Sequence, residues 1–362
     1  MKLSIKMPAL FIMTALLCAA VFNSACSTSG DDGTADVGGT GTAISLVTHG
    51  QVYTAGYSTG IMRAYYWVDG VLQTIADAGD NSRAADVVPT NLGDYAVGVR
   101  QVFEDPVFYN RAIIWFNGIG QFLDDVPSFA YGAALHNGKI YAAGWRAPDG
   151  SGDRPCVWEI ADAWTLSEGA YAVGSRTITR HDLDIAGEFG QARDIYSDGS
   201  DLYICGYYTE EITDFACYWK NYARLDLDGG TRAESITARA GRVYVGGRSS
   251  LNARYWIDGT GHDITGFPSG SSDDIVYAVV MADNGLYVAG QYYKNDYMGF
   301  SWHDGTLSVS LLPVVGAGAA GTDFYLGFEE RSVKNDTDYT ELEWIPGPVN
   351  ELRPRGINMR LY

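Results

Sequence analysis

Short apolar segments separated by turn residues fill most of the chain after residue 42. In the stretch 274–293, the apolar run DIVYAVVMAD is followed by Asn284-Gly285 and then by a second apolar run, LYVAG. Asn-Gly between two such runs predicts a tight β-hairpin, because both residues tolerate positive φ. A third segment carries Trp302, and Asp304-Gly305 predicts a further turn into a short outer strand. The pattern therefore predicts units of four antiparallel strands.

The same unit recurs along the chain, marked by a glycine in its second strand and a tryptophan in its third. The landmark glycines are Gly56, Gly98, Gly144, Gly206, Gly247, Gly290 and Gly327, and the tryptophans are Trp67, Trp115, Trp158, Trp219, Trp256, Trp302 and Trp344. Successive landmark glycines lie 42, 46, 62, 41, 43 and 37 residues apart, which is close to the spacing of four-stranded propeller blades. The sequence predicts an all-β fold, a seven-bladed β-propeller of four-stranded blades over residues 43–362.

Each landmark has an expected structural role. We expect the glycine to let a neighbouring blade or an indole ring approach the backbone closely. The tryptophans should fill the space between blades, which needs large flat side chains. We also expect the C-terminal segment GINMRLY, residues 356–362, to pair with the first unit, because a propeller joins its ends to avoid an open sheet edge.

Two known repeats resemble this pattern. The segment VYVGGR followed by ARYWIDG, within residues 243–259, resembles a kelch blade. The segment VYTAGYSTGIMRAYYWVDGVLQTI, residues 52–75, resembles the HAF-type extracellular repeat. Both resemblances imply a β-propeller in an exported setting, and because the shared motifs are structural they imply no particular chemistry.

The interval between Gly144 and Gly206 is longer than the others, which predicts an insertion. An inserted hairpin in blade three is favoured over an eighth, degenerate blade, because no tryptophan follows Gly174 in register. Since long excursions from a regular scaffold often carry function, candidate binding residues in this insertion are Arg180, His181, Asp182 and Asp184. The alternative interpretation is a solvated strand with alternating polar side chains.

The N-terminal residues 1–25 are expected to be a signal peptide. Lys2 and Lys6 precede the apolar run 9–22, and the small residues before Cys26 resemble a bacterial lipoprotein signal, which implies lipidation of Cys26. Residues 26–42, rich in Ser, Thr, Gly and Asp, predict a flexible tether. We expect a protein lipid-anchored at the bacterial cell membrane or outer membrane. An ordinary secretory signal, giving a secreted or periplasmic protein, is the alternative.

The net charge excludes some classes of binding partner. A formal charge of −19 repels nucleic-acid phosphates and anionic headgroups, so we expect no nucleic-acid binding and no membrane contact other than the lipid anchor.

Cys205 and Cys217 flank a predicted turn symmetric about Glu211. A disulfide between them is one alternative, and two buried free thiols are the other.

The sequence contains no recognisable catalytic or metal-binding motif. The five histidines are scattered, and neither a nucleophile elbow nor a phosphate-binding loop occurs. We therefore predict no cofactor, no metal and no catalytic residue, and a monomeric binding module whose partner is an envelope protein or a glycan. The alternative function is a glycan-cleaving hydrolase or lyase with acidic residues at the mouth of the propeller channel, which rests on fold analogy.

Overall fold

All regular secondary structure in the computed structural model consists of strands. The structure describes residues 52–58, 62–68, 71–104, 106–148, 150, 152–161, 166–167, 170–171, 177–310, 314–320, 323–328, 331–334, 352–353 and 360–361. The signal peptide 1–25, Cys26, the tether 26–42 and Trp344 lie outside these residues.

The strands form seven antiparallel sheets and one separate hairpin within the described residues. Sheet 1 contains β1 (Val52–Ser58), β2 (Ala64–Val68) and β3 (Val71–Thr74); sheet 2 contains β4 (Ser82–Thr90), β5 (Gly93–Glu104), β6 (Val107–Phe116) and β7 (Ile119–Phe122). Sheet 3 contains β8 (Ser128–His136), β9 (Lys139–Arg146), β10 (Arg154–Ala161) and β13 (Thr177–Asp182), and the hairpin is β11 (Leu166–Ser167) with β12 (Ala170–Tyr171).

Sheets 4 to 6 repeat the four-stranded pattern. Sheet 4 contains β14 (Phe189–Ser197), β15 (Leu202–Glu210), β16 (Thr213–Lys220) and β17 (Ala223–Asp226); sheet 5 contains β18 (Arg232–Arg239), β19 (Arg242–Ser249), β20 (Asn252–Ile257) and β21 (Thr260–Asp263). Sheet 6 contains β22 (Ser272–Ala282), β23 (Gly285–Tyr293), β24 (Tyr297–His303) and β25 (Thr306–Ser310); sheet 7 contains β26 (Val314–Ala320), β27 (Asp323–Phe328) and β28 (Arg331–Lys334). Two last strands, β29 (Leu352–Arg353) and β30 (Arg360–Leu361), both pair with β1 of sheet 1.

The sheets pack face to face in chain order, as in a propeller-like fold. The first strands of neighbouring sheets lie against one another, from β4 through β8, β14, β18 and β22 to β26. The buried apolar side chains accordingly form clusters between adjacent sheets rather than one central core. The all-β, multi-sheet part of the sequence prediction is therefore confirmed.

The predicted turn chemistry is found at four of the strand connections. Asn117-Gly118, Asn137-Gly138, Asp258-Gly259 and Asp304-Gly305 all have positive φ at both residues, the conformation that a two-residue hairpin requires. The turn before β23 differs from the expectation, because Ala282 pairs with Gly285 and the chain reverses at Asp283 and Asn284.

The tryptophans in the third strands lie between adjacent sheets. Trp115, Trp158, Trp219 and Trp256 are buried, and their indole N–H groups donate to the loop that ends the preceding sheet. The acceptors are the Asp77 carbonyl (3.2 Å), the Asp124 carboxylate (3.2 Å), the Asp184 carbonyl (2.8 Å) and the Asp228 carbonyl (2.9 Å). Trp67 is also buried, and Trp302 lies against Tyr255 of sheet 5 with ring centroids 5.1 Å apart. Each hydrogen-bonded indole therefore joins its own sheet to the one before it.

The landmark glycines are needed for a reason other than the one expected. A Cβ added to Gly206 would lie 1.9 Å from the carbonyl oxygen of Gln191, which belongs to the first strand of the same sheet. The same close approach, at about 2 Å, occurs at Gly98, Gly144, Gly247 and Gly290. The backbone that approaches the glycine is thus a strand of its own sheet, and neither a neighbouring blade nor an indole ring.

The insertion in sheet 3 consists of the hairpin β11–β12, which separates β10 from the outermost strand β13. The strand β13 pairs with β10 from Cys156–Asp182 to Ala161–Thr177. In the described residues, the segment that an eighth blade would occupy contributes only these two-residue strands and the edge of sheet 3.

The structure shows Cys205 and Cys217 as free, buried thiols, so the disulfide alternative is corrected. The hairpin pairs Cys205 with Tyr218 and Gly206 with Cys217. This register is shifted by one residue from a hairpin symmetric about Glu211, and a shift of one residue turns a side chain to the other face of a sheet. Cys217 accordingly packs in the cluster between sheets 3 and 4, and Cys205 in the cluster between sheets 4 and 5. Burial raises the pKa of both thiols.

The residues that the structure describes contain no long apolar helix of the kind that crosses a membrane.

Candidate binding site at the first-strand bulges

The first strand of each sheet from 2 to 6 contains a β-bulge at the same point. The pairing with the second strand skips one residue between Ala84 and Asp86, and it does so again in the four following sheets. The bulged residues are Ala85, Tyr131, Arg193, Glu234 and Tyr277. A bulge leaves its extra residue unpaired and redirects that side chain. Because the first strands are neighbours, four large bulged side chains come together, and we call Tyr131, Arg193, Glu234 and Tyr277 the bulge cluster.

An arginine–glutamate pair lies at the centre of the bulge cluster. Arg193 Nε donates to Glu234 Oε2 over 2.7 Å, and the Arg193 guanidinium lies 3.9 Å from the Tyr131 ring centroid. The arginine side chain is 24% exposed and the glutamate 7%. Burial lowers the pKa of Arg193, but Glu234 raises it more, so the pKa lies above its ordinary value and the guanidinium stays charged. The pair is thus a fixed, nearly neutral unit with access to solvent.

A second layer of side chains comes from the residue after three of the landmark glycines. Trp145 Nε1 donates to the Tyr131 hydroxyl (3.3 Å), and Gln291 Nε2 donates to the Tyr277 hydroxyl (3.1 Å). The third side chain of this layer is Tyr207, and the Arg232 guanidinium lies 4.8 Å from the centroid of the Tyr207 ring. Burial raises the pKa of both Tyr207 and Tyr277 to about 12. Both phenols therefore keep their protons at neutral pH and remain hydrogen-bond donors.

The acidic side chains around the bulge cluster are already bound to partners. Asp214 Oδ2 accepts from Arg232 Nε (3.0 Å), and Asp273 Oδ1 accepts from Arg248 Nη1 (2.6 Å). Asp153 accepts from the amide of Gln191; burial raises the pKa of this carboxyl above its ordinary value, although the hydrogen bond lowers it. With Glu234 bound to Arg193, the arrangement offers aromatic faces and fixed hydrogen-bonding groups. Such groups are suited to holding a ligand.

Exposed apolar side chains lie at the tips of the hairpins between second and third strands. These tips are at the same end of the sheets as the bulges, because the first strand starts where the second strand ends. Examples are Phe108 in sheet 2, which is 61% exposed, and Ile212 in sheet 4, which is 95% exposed. Others are Phe103, Val107, Phe215, Leu251, Tyr293 and Tyr297. This end of the molecule thus combines a polar, aromatic cluster with apolar tips.

The residues predicted from the insertion lie elsewhere. Arg180, His181 and Asp182 are in β13, the outermost strand of sheet 3, whereas the bulge cluster is on the first strands. Arg180 Nε pairs with Asp182 Oδ1 (2.9 Å) on one face. On the other, His181 stacks on Tyr222 with ring centroids 4.8 Å apart, and its Nε2 lies 3.1 Å from Glu159 Oε2. Asp184 follows β13, and its carbonyl accepts from Trp219. The structure does not bring these four residues together at one point.

Sequence reasoning missed the bulge cluster, although a positional signal exists. In sheets 2 to 6 the bulged residue lies 13 positions before the landmark glycine, as Arg193 does before Gly206. The residue type at this position differs in almost every unit, so it forms no visible column. Within the described part of the chain, no three or more side chains of the metal-ligating types are grouped closely enough to hold a metal ion.

Known proteins offer a distant structural similarity to this chain and no family or curated relative. No protein-family model matches the chain, and no curated protein matches it. Among solved structures, the chain is similar to the extracellular domain of a protein described as a one-component system of B. thetaiotaomicron. That similarity has 12% sequence identity and a TM-score of 0.39, and it covers 84% of this chain and 34% of the other. The chain therefore spans about a third of the length of that structure.

Proposed function

We propose that the chain is an exported, lipid-anchored, seven-bladed β-propeller of the kelch-like or HAF-type repeat class that acts as a binding module at the bacterial cell envelope. Each of the seven sheets would be one blade. The pairing of β29 and β30 with β1 supports a closed ring, since it joins the end of the chain to its first described sheet. The module acts as a monomer, contacts the membrane through lipidated Cys26, and takes an envelope protein or a glycan as its partner.

The observation that carries this proposal is the bulge cluster. Four successive first strands direct large polar and aromatic side chains to one place, and propellers bind partners where such strands converge. Cleavage of a glycan needs one carboxyl group that gives up a proton and a second that acts as base or nucleophile. Here Glu234, Asp214 and Asp273 are each paired with an arginine. Asp153, held by the Gln191 amide, is then a single carboxyl without a second one to act with it among the described residues of the cluster, which favours binding over catalysis.

The binding function is tested by partner capture with matched variants. Full-length chain purified in mild detergent is screened against envelope extracts and a glycan array, as wild type and with Arg193→Gln or Glu159→Gln. Loss of the captured partner with Arg193→Gln and its retention with Glu159→Gln support the proposal, because Glu159 pairs with Lys139 away from the bulge cluster. Capture of nothing by the wild type, or capture that is equal in all three proteins, would refute it.

The anchor is tested separately by metabolic labelling with an alkyne fatty acid. Wild type and Cys156→Ala should incorporate the label, and Cys26→Ala should not. No labelling of the wild type would favour the secreted or periplasmic alternative. Labelling that survives Cys26→Ala would refute Cys26 as the lipidated residue.

A further inference from the structure

We propose that the bulge cluster binds a neutral sugar unit, in preference to a charged ligand. This inference rests on the proposed binding function and names the ligand class for it. The first argument is charge balance at the site. Each arginine has its own carboxylate: Arg193 with Glu234 at 2.7 Å, Arg232 with Asp214 at 3.0 Å and Arg248 with Asp273 at 2.6 Å.

A charged ligand would gain little from groups that are already neutralised. An anionic ligand would have to compete with the carboxylates for the three arginines, and the net charge of −19 would repel it at longer range. A cationic ligand at the centre of the cluster would have to displace Arg193 from Glu234, which would leave a charge buried without its partner. Asp153, which lacks an arginine among the described residues, is already held by the Gln191 amide. A neutral ligand meets neither obstacle.

The polar groups that remain available match sugar hydroxyls, which both donate and accept hydrogen bonds. The Tyr277 hydroxyl accepts from Gln291, so its own proton is free to be donated to a ligand. The Tyr207 hydroxyl has no hydrogen-bond partner among the residues that the structure describes. Glu234 uses Oε2 for Arg193 and leaves Oε1 as an acceptor. The site therefore presents a donor, a group that can do both, and an acceptor within one cluster.

The aromatic rings divide into supports and contact surfaces. Tyr131 is covered by Arg193 on one side and stacks on Phe129, with ring centroids 4.4 Å apart, so it acts as a support. Tyr277 has no ring or guanidinium stacked on it within the described part of the chain, which leaves a flat apolar surface for the C–H face of a sugar ring. The side chains suited to contact a protein, such as Phe108 and Ile212, lie at the hairpin tips instead.

The test compares glycans of different charge on the full-length chain in mild detergent. Immobilised neutral oligosaccharides, uronic-acid oligosaccharides, chitosan oligosaccharides and a peptide library are probed with wild type, Tyr277→Phe and Glu234→Gln. We expect neutral oligosaccharides to bind and Tyr277→Phe to weaken them about threefold to tenfold, the effect of one lost hydrogen bond. Glu234→Gln should weaken neutral glycans and strengthen uronic-acid glycans, because Arg193 then lacks its counter-charge.

Two matched variants control for altered folding. Tyr244→Phe changes a buried tyrosine of β19 that lies near Arg242, and Glu159→Gln changes an ion-paired glutamate of sheet 3; both should leave glycan binding unchanged. Preference for uronic-acid glycans, chitosan or peptides through the cluster would overturn this inference and leave the binding function standing. Binding of neutral oligosaccharides that is unchanged by both Tyr277→Phe and Glu234→Gln would also overturn it. Binding of nothing at all would overturn both.

Discussion

Asp274 is a buried carboxyl at a position where sheets 2 and 3 have a serine. Ser82 begins the first strand of sheet 2, and its hydroxyl accepts from the backbone N–H of Ala64 in sheet 1 (2.9 Å). Asp274 has the corresponding place in sheet 6 and is only 5% exposed, but its Oδ1 has no hydrogen-bond partner among the described residues. Burial, with a smaller effect of Asp273, raises the pKa of Asp274 to about 6.

This carboxyl should make stability depend on pH. The pKa of an aspartate in an unfolded chain is about 4, so between about pH 4 and 6 the folded chain holds a proton that the unfolded chain has released. Stability therefore falls as pH rises through this window. Asp274→Asn should raise the free energy of unfolding by about 2 to 3 kcal/mol near pH 7 and have little effect near pH 4.

Urea denaturation of wild type and Asp274→Asn at both pH values measures the effect. Asp283→Asn is the control, because Asp283 is exposed and paired with Arg239 at 2.7 Å. An equal effect of Asp274→Asn at the two pH values would contradict the explanation.

Gly206 and its equivalents show what a repeated residue in a sequence does and does not predict about the structure. The repeated glycine could be recognised in the sequence, but its cause could not. The carbonyl that comes within 2 Å of a Cβ at Gly206 belongs to Gln191, which lies just before a bulge with no sequence signature. Gly206→Ala should destabilise the protein by about 3 kcal/mol or more, since neither backbone can move without disturbing the sheet.

The matched control for this change is Gly241→Ala. A Cβ at Gly241 would meet nothing within 4 Å, although its φ of +77° strains an alanine, and we expect a loss of about 1 kcal/mol. Equal losses at the two positions in urea denaturation would show that the Gln191 carbonyl is not the cause.

At the scale of elements, turns were predictable and bulges were not. A two-residue hairpin needs positive φ, so it selects residues such as Asn117-Gly118 that can be recognised in the sequence. A bulge accepts almost any side chain, and Ala85, Arg193 and Tyr277 all occupy one. The candidate site is built from the bulged residues, and it was therefore outside the reach of motif reasoning.

The register of the hairpin β15–β16 determines which face of sheet 4 each of the two cysteines, Cys205 and Cys217, occupies. Cys205 and Cys217 are compatible with a cross-strand pair if the turn is centred on Glu211, but the chain turns through two residues, Glu211 and Ile212. Hairpins with one more or one fewer turn residue differ little in local composition, so the sequence left both alternatives open. The burial of the two thiols on opposite faces of sheet 4 follows from that difference.

At the scale of the whole molecule, successive sheets are linked as well as packed. Four indole groups donate to the loop of the sheet before, from Trp115 to Trp256. Two carboxylates cross between first strands, because Asp86 accepts from the N–H of Ala133 (2.8 Å) and Asp194 from that of Ile236 (3.0 Å). Disturbing one sheet should therefore weaken its neighbours, and the ends of the array should be its most vulnerable points.

The C-terminal strands protect the first of those ends. Leu361 pairs with Val52 and Arg353 with Tyr57, so β30 and β29 together cover the edge of β1 that faces away from β2. Deleting residues 352–362 would expose that edge and remove the link between the two ends of the proposed ring. We expect the thermal midpoint to fall by about 5 °C or more and the truncated chain to aggregate through the open strand. Deletion of residues 27–34 in the predicted tether should leave the midpoint unchanged. Equal midpoints for the two deletions in a calorimetric scan would mean that the array is stable without closure, because each sheet would then depend on its neighbour alone.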